Sequence, residues 1–518
     1  MAGNIEFEFT FSQTHPDRNS SRTEQTPTRF LVLGNFSGCR RGEAAAGPIS
    51  QRTLHQLDID TFASVLTHLK PRIHLDSFGD NNTNLEIEIE EMDDFHPDGL
   101  FRKLDLFRSL REMRKRLLDP DTFTQAAAEL DPGRAEAGHG TDEEADADQD
   151  GDASPAPDQQ APREDSSDTL ERLLGKKPAA DAEPSPQQTI SRGKAALTPL
   201  IRDLIAPYII PEADPRQDVY VESVDAAIRE QMRSVLHYPT FQAVESGWRG
   251  LDWLVSELEI GEELQLFACD LTKEELLADL RGTAGRLEDS EFYKLLIEKE
   301  IGTPGGRIWS FLLGDYSFGH SEDDVFLLAA LGAIASRAGA PFLAGAKAEI
   351  LGCQSLAENP DSSTWSVGDP ADRERWASLR SSLQASWLGL ALPRVLLRVP
   401  FGSRTDTIES FPFEELTGDP DHESFLWGNA AFACGLLLAR DVLNQSGNQL
   451  LEGLPAYVND RENVKTMQPC AEVLLSERVG LEILQQGLMP LLSHRDRNVV
   501  SIMRFQSLAE PPTPLEGR

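Results

Sequence analysis

The first apolar pattern in the chain is a strict alternation, in which polar residues separate Ile5, Phe7, Phe9 and Phe11. Such period-two alternation predicts a β-strand with one buried face. The polar stretch that follows offers no hairpin partner, so two interpretations stay open. The segment is either the first strand of a local sheet or a strand donated to the sheet edge of another subunit.

Residues 29–130 have the pattern of a small α/β lobe. Strands are predicted over Arg29–Leu33, Ile73–Phe78 and Leu85–Met92. Asp60 is expected to cap a helix that runs to Pro71. Pro97 and Asp98 open a further helix. Its apolar stripe consists of Leu100, Leu104, Phe107, Leu110 and Leu117.

A longer lobe follows, in which helical and extended patterns alternate with short connections. The predicted helices are Ala195–Ala206, Val221–Leu236, Lys273–Leu280, Asp323–Ser336 and Phe425–Asn444. The predicted strands are Leu264–Ala268, Ile308–Leu313 and Arg394–Val399. This order predicts an α/β or mixed α+β fold with sheets flanked by helices.

Between the lobes lies an acidic segment, since residues 131–168 hold 13 acidic and 2 basic residues and no aromatic residue. A segment of this composition cannot bury enough apolar surface to offset its chain entropy, so we expect a disordered linker. The sequence therefore divides into residues 1–28 (an extension with the possible exchange strand), 29–130 (the small lobe), 131–190 (the linker) and 191–518 (the large lobe).

The formal charge of −37, from 49 basic and 86 acidic residues, argues against binding to nucleic acid or to anionic lipid. The longest apolar stretch, Val325–Ala335, is too short to span a bilayer, so no direct membrane insertion is expected. Five scattered cysteines suit a reducing compartment, which predicts a cytoplasmic protein.

Candidate chemistry is sparse. The turn Gly302–Arg307 lacks the lysine of a phosphate-binding loop, and His494–Asp496 imitates a kinase catalytic loop without its asparagine. The ten histidines do not fall at metal-ligand spacing. We therefore expect no enzyme activity, no cofactor and no metal site.

Specific motifs appear in the large lobe. The segment His237–Leu251 reads HYPTFQAVESGWRGL. Seven further motifs follow in order: Thr303–Gly306, Gly314–Phe318, Ala340–Phe342, Trp376–Arg380, Leu392–Gly402, Phe411–Glu415 and Leu426–Ala431. Together they resemble the large subunit of the bacterial type VI secretion contractile sheath (TssC, also VipB).

The small lobe resembles the other sheath subunit (TssB, also VipA). The matching segments are Phe30–Gly38, Leu57–Phe62 and Asp93–Asp98. The chain thus looks like a small subunit fused through an acidic linker to a large subunit. We expect the large-subunit-like lobe of this chain to lack the usual C-terminal portion of that subunit.

The motifs supply a set of signature residues: Phe241, Glu245, Trp248, Arg249, Gly250, Gly314, Asp315, Tyr316, Pro393, Arg394, Arg398, Phe413, Glu414, Glu415, Trp427 and Asn429. We expect the tryptophans to be core anchors and the arginines to form buried ion pairs. Gly250, Gly314 and Gly402 are expected to release strand and helix ends.

The resemblance implies a structural protein that assembles with other sheath subunits around an inner tube, above a baseplate, and contracts. It also implies recycling by an AAA+ unfoldase, for which Leu170, Leu173 and Leu174 form a candidate recognition helix. The alternative is a sheath-derived cap, adaptor or regulator that docks on the sheath or baseplate without polymerising.

Overall fold

The computed structural model describes residues 27–39, 47–78, 83–130, 216–418, 420–444, 449–461 and 464–517, together with Phe9. The chain divides into two compact units. Unit one comprises Met1–Leu110 and Asp225–Arg518, and unit two comprises Arg111–Val224. The predicted linker, the three leucines at 170, 173 and 174, and the predicted helix Ala195–Ala206 lie outside the described residues.

The described part of the chain contains fifteen strands and twelve α-helices. The strands are β1 (Thr28–Gly34), β2 (His55–Leu57), β3 (Arg72–Phe78), β4 (Thr83–Glu88), β5 (Leu264–Asp270), β6 (Phe311–Phe318), β7 (Phe342–Ala346), β8 (Leu388–Leu392), β9 (Val395–Leu396), β10 (Trp427–Gly428), β11 (Leu450–Glu452), β12 (Val458–Arg461), β13 (Val464–Met467), β14 (Met489–Ser493) and β15 (Val499–Ile502). The helices are α1 (Phe62–Leu69), α2 (Pro97–Lys103), α3 (Arg108–Leu118), α4 (Pro120–Leu130), α5 (Gln217–Leu236), α6 (Pro239–Glu257), α7 (Lys273–Gly282), α8 (Glu291–Tyr293, continued by a π-helix over Lys294–Lys299), α9 (Glu322–Ala338), α10 (Pro370–Arg380), α11 (Ala430–Asn444) and α12 (Glu477–Gln485).

The main sheet of unit one has nine strands in the order β11-β15-β14-β8-β7-β6-β1-β5-β2. The six strands from β14 to β5 are parallel, and antiparallel strands complete both edges. All seven residues of β1 are buried. Phe30 is in register with Leu266 on one side and with Phe311 on the other. The small lobe therefore supplies a central strand to the sheet of the large lobe.

Helices cover both faces of this sheet, because successive residues of its strands point to different cores. Leu312 of β6 belongs to the large apolar core that contains most of α9. The next residue, Leu313, packs against α11, where a methyl group added to Gly435 would lie 2.6 Å from Leu313 Cδ2. The predicted mixed α/β class with co-folded lobes is thus confirmed.

Two predicted helices differ from the structure. The N-cap residue of α1 is Thr61, so the prediction that Asp60 caps this helix was wrong. The Thr61 N–H donates to Asp58 Oδ1 at 2.7 Å. The helix predicted from Pro97 to Leu117 is interrupted at Leu104, which has an extended backbone. The interruption leaves the side chains of Leu104 and Phe107 both buried.

Several predicted strand bounds were also wrong. The strand expected over Ile308–Leu313 is Phe311–Phe318, and the one expected to end at Met92 ends at Glu88. Only Val395–Leu396 of the strand predicted over Arg394–Val399 is extended in a ladder, where it pairs with β10. The helix predicted from Phe425 begins at Ala430, since Trp427–Gly428 forms β10.

Unit two is helical in its described part, with α4 packed against the first turns of α5. The ring of Phe123 meets that of Tyr220 edge to face, with centroids 6.2 Å apart. Gln217 Nε2 donates to the carbonyl of Leu117 at 2.6 Å. These contacts give unit two a small core of its own.

Candidate functional site

Trp248, one of the signature residues of the large lobe, lies where that lobe meets the segment around β1. Trp248 of α6 is fully buried, and its Nε1 donates to the carbonyl of Phe36 at 2.9 Å. The rings of Phe36 and Phe62 both meet Trp248 edge to face, with centroids 5.8 and 5.7 Å away. Trp248 is therefore a core anchor that joins the two lobes.

The start of α6 makes a second connection to the small lobe. Phe241 meets Phe95 edge to face, with ring centroids 5.8 Å apart. The Thr240 hydroxyl donates to the carbonyl of His74 at 2.9 Å, which ties the helix to β3. The motif at His237–Leu251 thus forms a docking helix for the small lobe.

Asp98 at the start of α2 makes a third connection. Its carboxylate accepts the N–H groups of Glu409 and Ser410 at 3.0 and 2.9 Å. Burial acts to raise the pKa of Asp98, but these donors outweigh it and hold the pKa below its usual value. The carboxylate is therefore fixed in its charged form on the loop before Phe411.

A buried group of charges lies beneath these contacts, and we call Glu245, Arg249, Arg398 and Glu415 the Arg398 network. Arg398 Nε donates to Glu245 Oε1 at 2.8 Å, and its Nη1 donates to Glu415 Oε2 at 2.7 Å. Arg249 Nε donates to the same Glu245 oxygen at 2.7 Å. Both carboxylates are fully buried. Two cations balance two anions, so the network is neutral.

Two members of the Arg398 network, Glu415 and Arg398, are held in their charged forms. Burial acts to raise the pKa of Glu415, yet Arg398, His237 and the N–H of Phe401 lower it to about 2. Burial likewise opposes the charge of Arg398, but the two carboxylates raise its pKa above the ordinary value. The guanidinium carbon also lies 4.2 Å from the ring centroid of Phe401.

A second charged group, the Arg394 network, consists of Arg394, His422, Glu423 and Glu472. Arg394 Nε donates to Glu472 Oε1 at 2.8 Å, and its Nη2 donates to Glu423 Oε1 at 2.7 Å. His422 Nε2 lies 3.3 Å from Glu472 Oε1. Burial acts to raise the pKa of Glu472, but His422 and Arg394 lower it to about 2. This network ties β9 to the segments on either side.

The acidic and imidazole groups of this network have their ligand atoms within 4.8 Å of one another, which is close enough to hold a metal ion. However, the guanidinium of Arg394 already contacts both carboxylates. The positive charge that a metal would supply is thus provided by the protein. The arrangement suits a structural ion-pair network better than a metal centre.

Asp315 of β6 lines a cavity of about 510 Å³ beside α6 and β3. Burial raises its pKa to about 7, although a hydrogen bond from Asn429 partly opposes the rise. Asn429 also donates to the carbonyl of Tyr316 at 2.9 Å and accepts the N–H of Ala431 at 2.9 Å. Asn429 therefore caps α11 and links that helix to β6.

The two signature glycines do not end their elements. Gly250 lies inside α6, where an added Cβ would come within 2.5 Å of the Phe432 ring. Gly314 lies inside β6, where it would come within 2.6 Å of the Phe342 ring. The prediction that they release helix and strand ends was wrong, because each provides space for an aromatic ring.

Trp427 lies in β10 and packs with Leu396 and Phe425, and three further signature residues lie on loops. Phe413 is buried beneath the guanidinium of Arg233, and Glu414 is exposed and accepts the Ser403 N–H at 3.1 Å. Pro393 stands between β8 and Arg394. Phe413 and Glu414 belong to the loop that supplies Glu415.

The predicted exchange strand is represented by one described residue. Phe9 is partly buried against the core of unit one, and its ring lies edge to face with that of Phe326. Ile5, Phe7 and Phe11 lie outside the described residues, as do Leu170, Leu173 and Leu174.

Sequence reasoning singled out the arginines but not all of their partners. The sequence analysis missed three partners, Glu423, Glu472 and His422. The tertiary contacts are needed to choose them from the 86 acidic residues and ten histidines of the chain. The only local signal was Arg249, which follows Glu245 by one helical turn.

Comparison with protein families agrees with this geometry. Residues 218–509 match the family model described as "EvpB/VC_A0108, tail sheath N-terminal domain", named VipB. Residues 10–131 match the model described as "Type VI secretion system, VipA, VC_A0107 or Hcp2". The chain belongs to the VipB tail sheath family and carries a VipA-type segment ahead of the VipB domain.

Two curated relatives come from Pseudomonas aeruginosa. The type VI secretion system sheath protein TssC1 is 33% identical over 305 residues, which cover 56% of this chain and 61% of TssC1. The sheath protein TssB1 is 31% identical over 103 residues, which cover 19% of this chain and 59% of TssB1. The chain thus spans about three fifths of the length of each relative. The homology supports a structural sheath component with both subunit types in one polypeptide.

Within the described residues, no helix combines the length and the apolar character that crossing a membrane would require.

Proposed function

We propose that this chain is a building block of a type VI secretion contractile sheath, in which one polypeptide takes the place of a TssB–TssC pair. The observation that carries the proposal is the position of β1, between β5 and β6 of the large lobe. A VipA-type strand in the middle of a VipB-type sheet supports the proposal that the fused chain serves as a single sheath subunit. Its role is mechanical, and no catalysis or cofactor is assigned to it.

The proposed unit acts in the cytoplasm with other sheath subunits, around an inner tube and above a baseplate. Contraction would release packing free energy stored in an extended lattice, as rigid units rotate against one another. The Arg398 and Arg394 networks suit such a unit. The charges of both networks are paired inside unit one of the chain. The interior of unit one can therefore stay fixed while the contacts between neighbouring sheath subunits change.

Connection between neighbouring units is assigned to the segment with Ile5, Phe7, Phe9 and Phe11. An alternating strand that lacks a hairpin partner in the sequence can add to an open sheet edge of another copy. The apolar face would supply specificity, and the backbone hydrogen bonds would supply much of the affinity.

Electron microscopy tests this assignment. The protein is mixed with ordinary TssB and TssC subunits, and negatively stained particles are compared with those formed without it. Incorporation along the length of the sheath is the expected result. Binding only at sheath ends or at baseplates would favour the cap or adaptor alternative, and no association would contradict both.

Recycling by an AAA+ unfoldase is assigned to the leucines at 170, 173 and 174, which share one helical face in the sequence. A peptide of residues 165–178 should bind the N-terminal domain of the unfoldase from the same secretion system. The matched control replaces the three leucines with serine. Equal binding of both peptides, or binding of neither, would remove this assignment.

A further inference from the structure

Phe9 contacts the protein at a specific place. Its ring lies edge to face with that of Phe326, with centroids 6.2 Å apart and an interplanar angle of 61°. Both side chains are partly buried against the large core of unit one. Edge-to-face contact is a preferred geometry of aromatic pairs.

The ring of Phe326 is itself held by its surroundings on α7 and α9. The guanidinium carbon of Arg281 lies 5.4 Å from the centroid of the Phe326 ring. Arg281 also pairs with Asp323, which precedes Phe326 by about one turn of α9. We call Arg281, Asp323 and Phe326 the Phe326 seat. The seat thus contains an aromatic ring and a cation. An aromatic ring can contact the edge or face of a second aromatic ring, and a cation is attracted to a ring face.

The chain between the seat and the sheet is long. Seventeen residues separate Phe9 from Pro27, where the next described stretch begins. A chain of this length can span up to about 60 Å. The length of this connection therefore does not by itself confine Phe9 to one position next to β1.

We propose that the Phe326 seat holds the N-terminal segment on its own chain through Phe9, in competition with donation of that segment to a neighbouring copy. The inference rests on the proposed function, because it concerns how strand donation is regulated. Tethering gives Phe9 a high effective concentration at its own seat. Donation then requires release of Phe9, which lowers premature association of free units.

A crosslinking experiment tests the seat without removing either phenylalanine. Glu8→Cys is combined with Glu322→Cys, which places thiols beside Phe9 and one turn before Phe326. Cys39→Ser removes the partly exposed native thiol, and the four other cysteines are buried. A short bismaleimide is added over a hundredfold range of protein concentration. The expected product is a crosslinked monomer whose yield does not depend on concentration.

Two matched changes locate the effect at the seat. Phe326→Ala should lower the yield of crosslinked monomer at least fivefold, whereas Phe326→Leu should lower it less. Arg281→Ala is a second variant, which removes the cation of the Phe326 seat and leaves the Phe326 ring in place. Crosslinking mainly between copies, or a yield that Phe326→Ala does not change, would overturn the proposal.

Association is the second measurement. The crosslinked monomer should enter sheaths at least tenfold less than either single-cysteine variant treated with the same reagent. Equal entry would overturn the regulatory role. If untreated protein does not enter sheaths at all, the proposed function fails, while the crosslink yields still decide whether the seat is occupied.

Discussion

At the scale of single residues, the charged networks explain why arginines recur in the matched motifs. Glu245 and Glu415 are fully buried, and burying a carboxylate is strongly unfavourable unless a cation and hydrogen bonds compensate it. Arg398 contacts both carboxylates from one position. Its removal leaves two anions with too few partners.

Arg398→Met tests this dependence. We expect a loss of about 3–5 kcal/mol in the free energy of unfolding, because breaking a buried pair strands its charges. The matched control is Arg478→Met, which removes an arginine from an exposed ion pair with Asp361 and should change little. Chemical denaturation of both variants gives the comparison. Equal losses would show that burial of the network is not what matters.

Asp315 predicts a dependence of stability on pH. Its pKa of about 7 in the folded protein exceeds the ordinary carboxyl value, so folding favours the protonated form. That stabilisation is fully present below the ordinary carboxyl pKa and is lost as the pH rises towards 7.

Asp315→Asn removes this titration. As the pH rises from 5 to 8, the stability of the variant should therefore increase relative to that of the original protein. Thermal unfolding midpoints at the two pH values measure the change. A difference between variant and original protein that is the same at both pH values would contradict the assigned pKa.

The sequence predicted which residues carry the site better than it predicted what they do. Trp248 and Arg398 were expected in the core and in ion pairs, and both are there. The roles of Gly250 and Gly314 were wrong, since a requirement for space beside Phe432 or Phe342 exists only in the folded packing.

At the scale of elements, β1 decides how the two lobes are related. Its apolar run predicted a buried strand, but its neighbours β5 and β6 lie more than two hundred residues further along the sequence. Local patterns predict that a strand exists and do not predict its pairing. The helix break at Leu104 was likewise not predicted, because the local helical spacing continues through that residue.

A substitution in β1 tests its central position. Leu31 is fully buried, so Leu31→Ala should cost about 2–5 kcal/mol in the free energy of unfolding. The control Ile59→Ala lies in the same small lobe at 77% exposure and should change stability by less than about 0.5 kcal/mol. Denaturation followed by tryptophan fluorescence reports the core, since Trp248 contacts the small lobe. Similar effects of the two changes would contradict a central β1.

At the scale of the whole molecule, we expect substitutions in the N-terminal segment to affect assembly with other subunits but not folding of the isolated chain. Phe7→Asp combined with Phe9→Asp should leave the isolated fold intact and abolish association with other sheath subunits. Circular dichroism checks the fold, and negative-stain microscopy checks association. Unfolding of the monomer by this double substitution would instead assign the segment to the core of its own chain.

Because the two lobes are joined in one chain, the central claim can be tested directly. The claim is that the two lobes fold together around a shared sheet. A specific protease site is placed in the acidic segment 131–168, and the chain is cut under native conditions. Size-exclusion chromatography of the cut protein should return both fragments in one peak, because β1 stays between β5 and β6, and denaturant should separate them. Two separate peaks under native conditions would contradict the shared sheet and the sheath unit built on it.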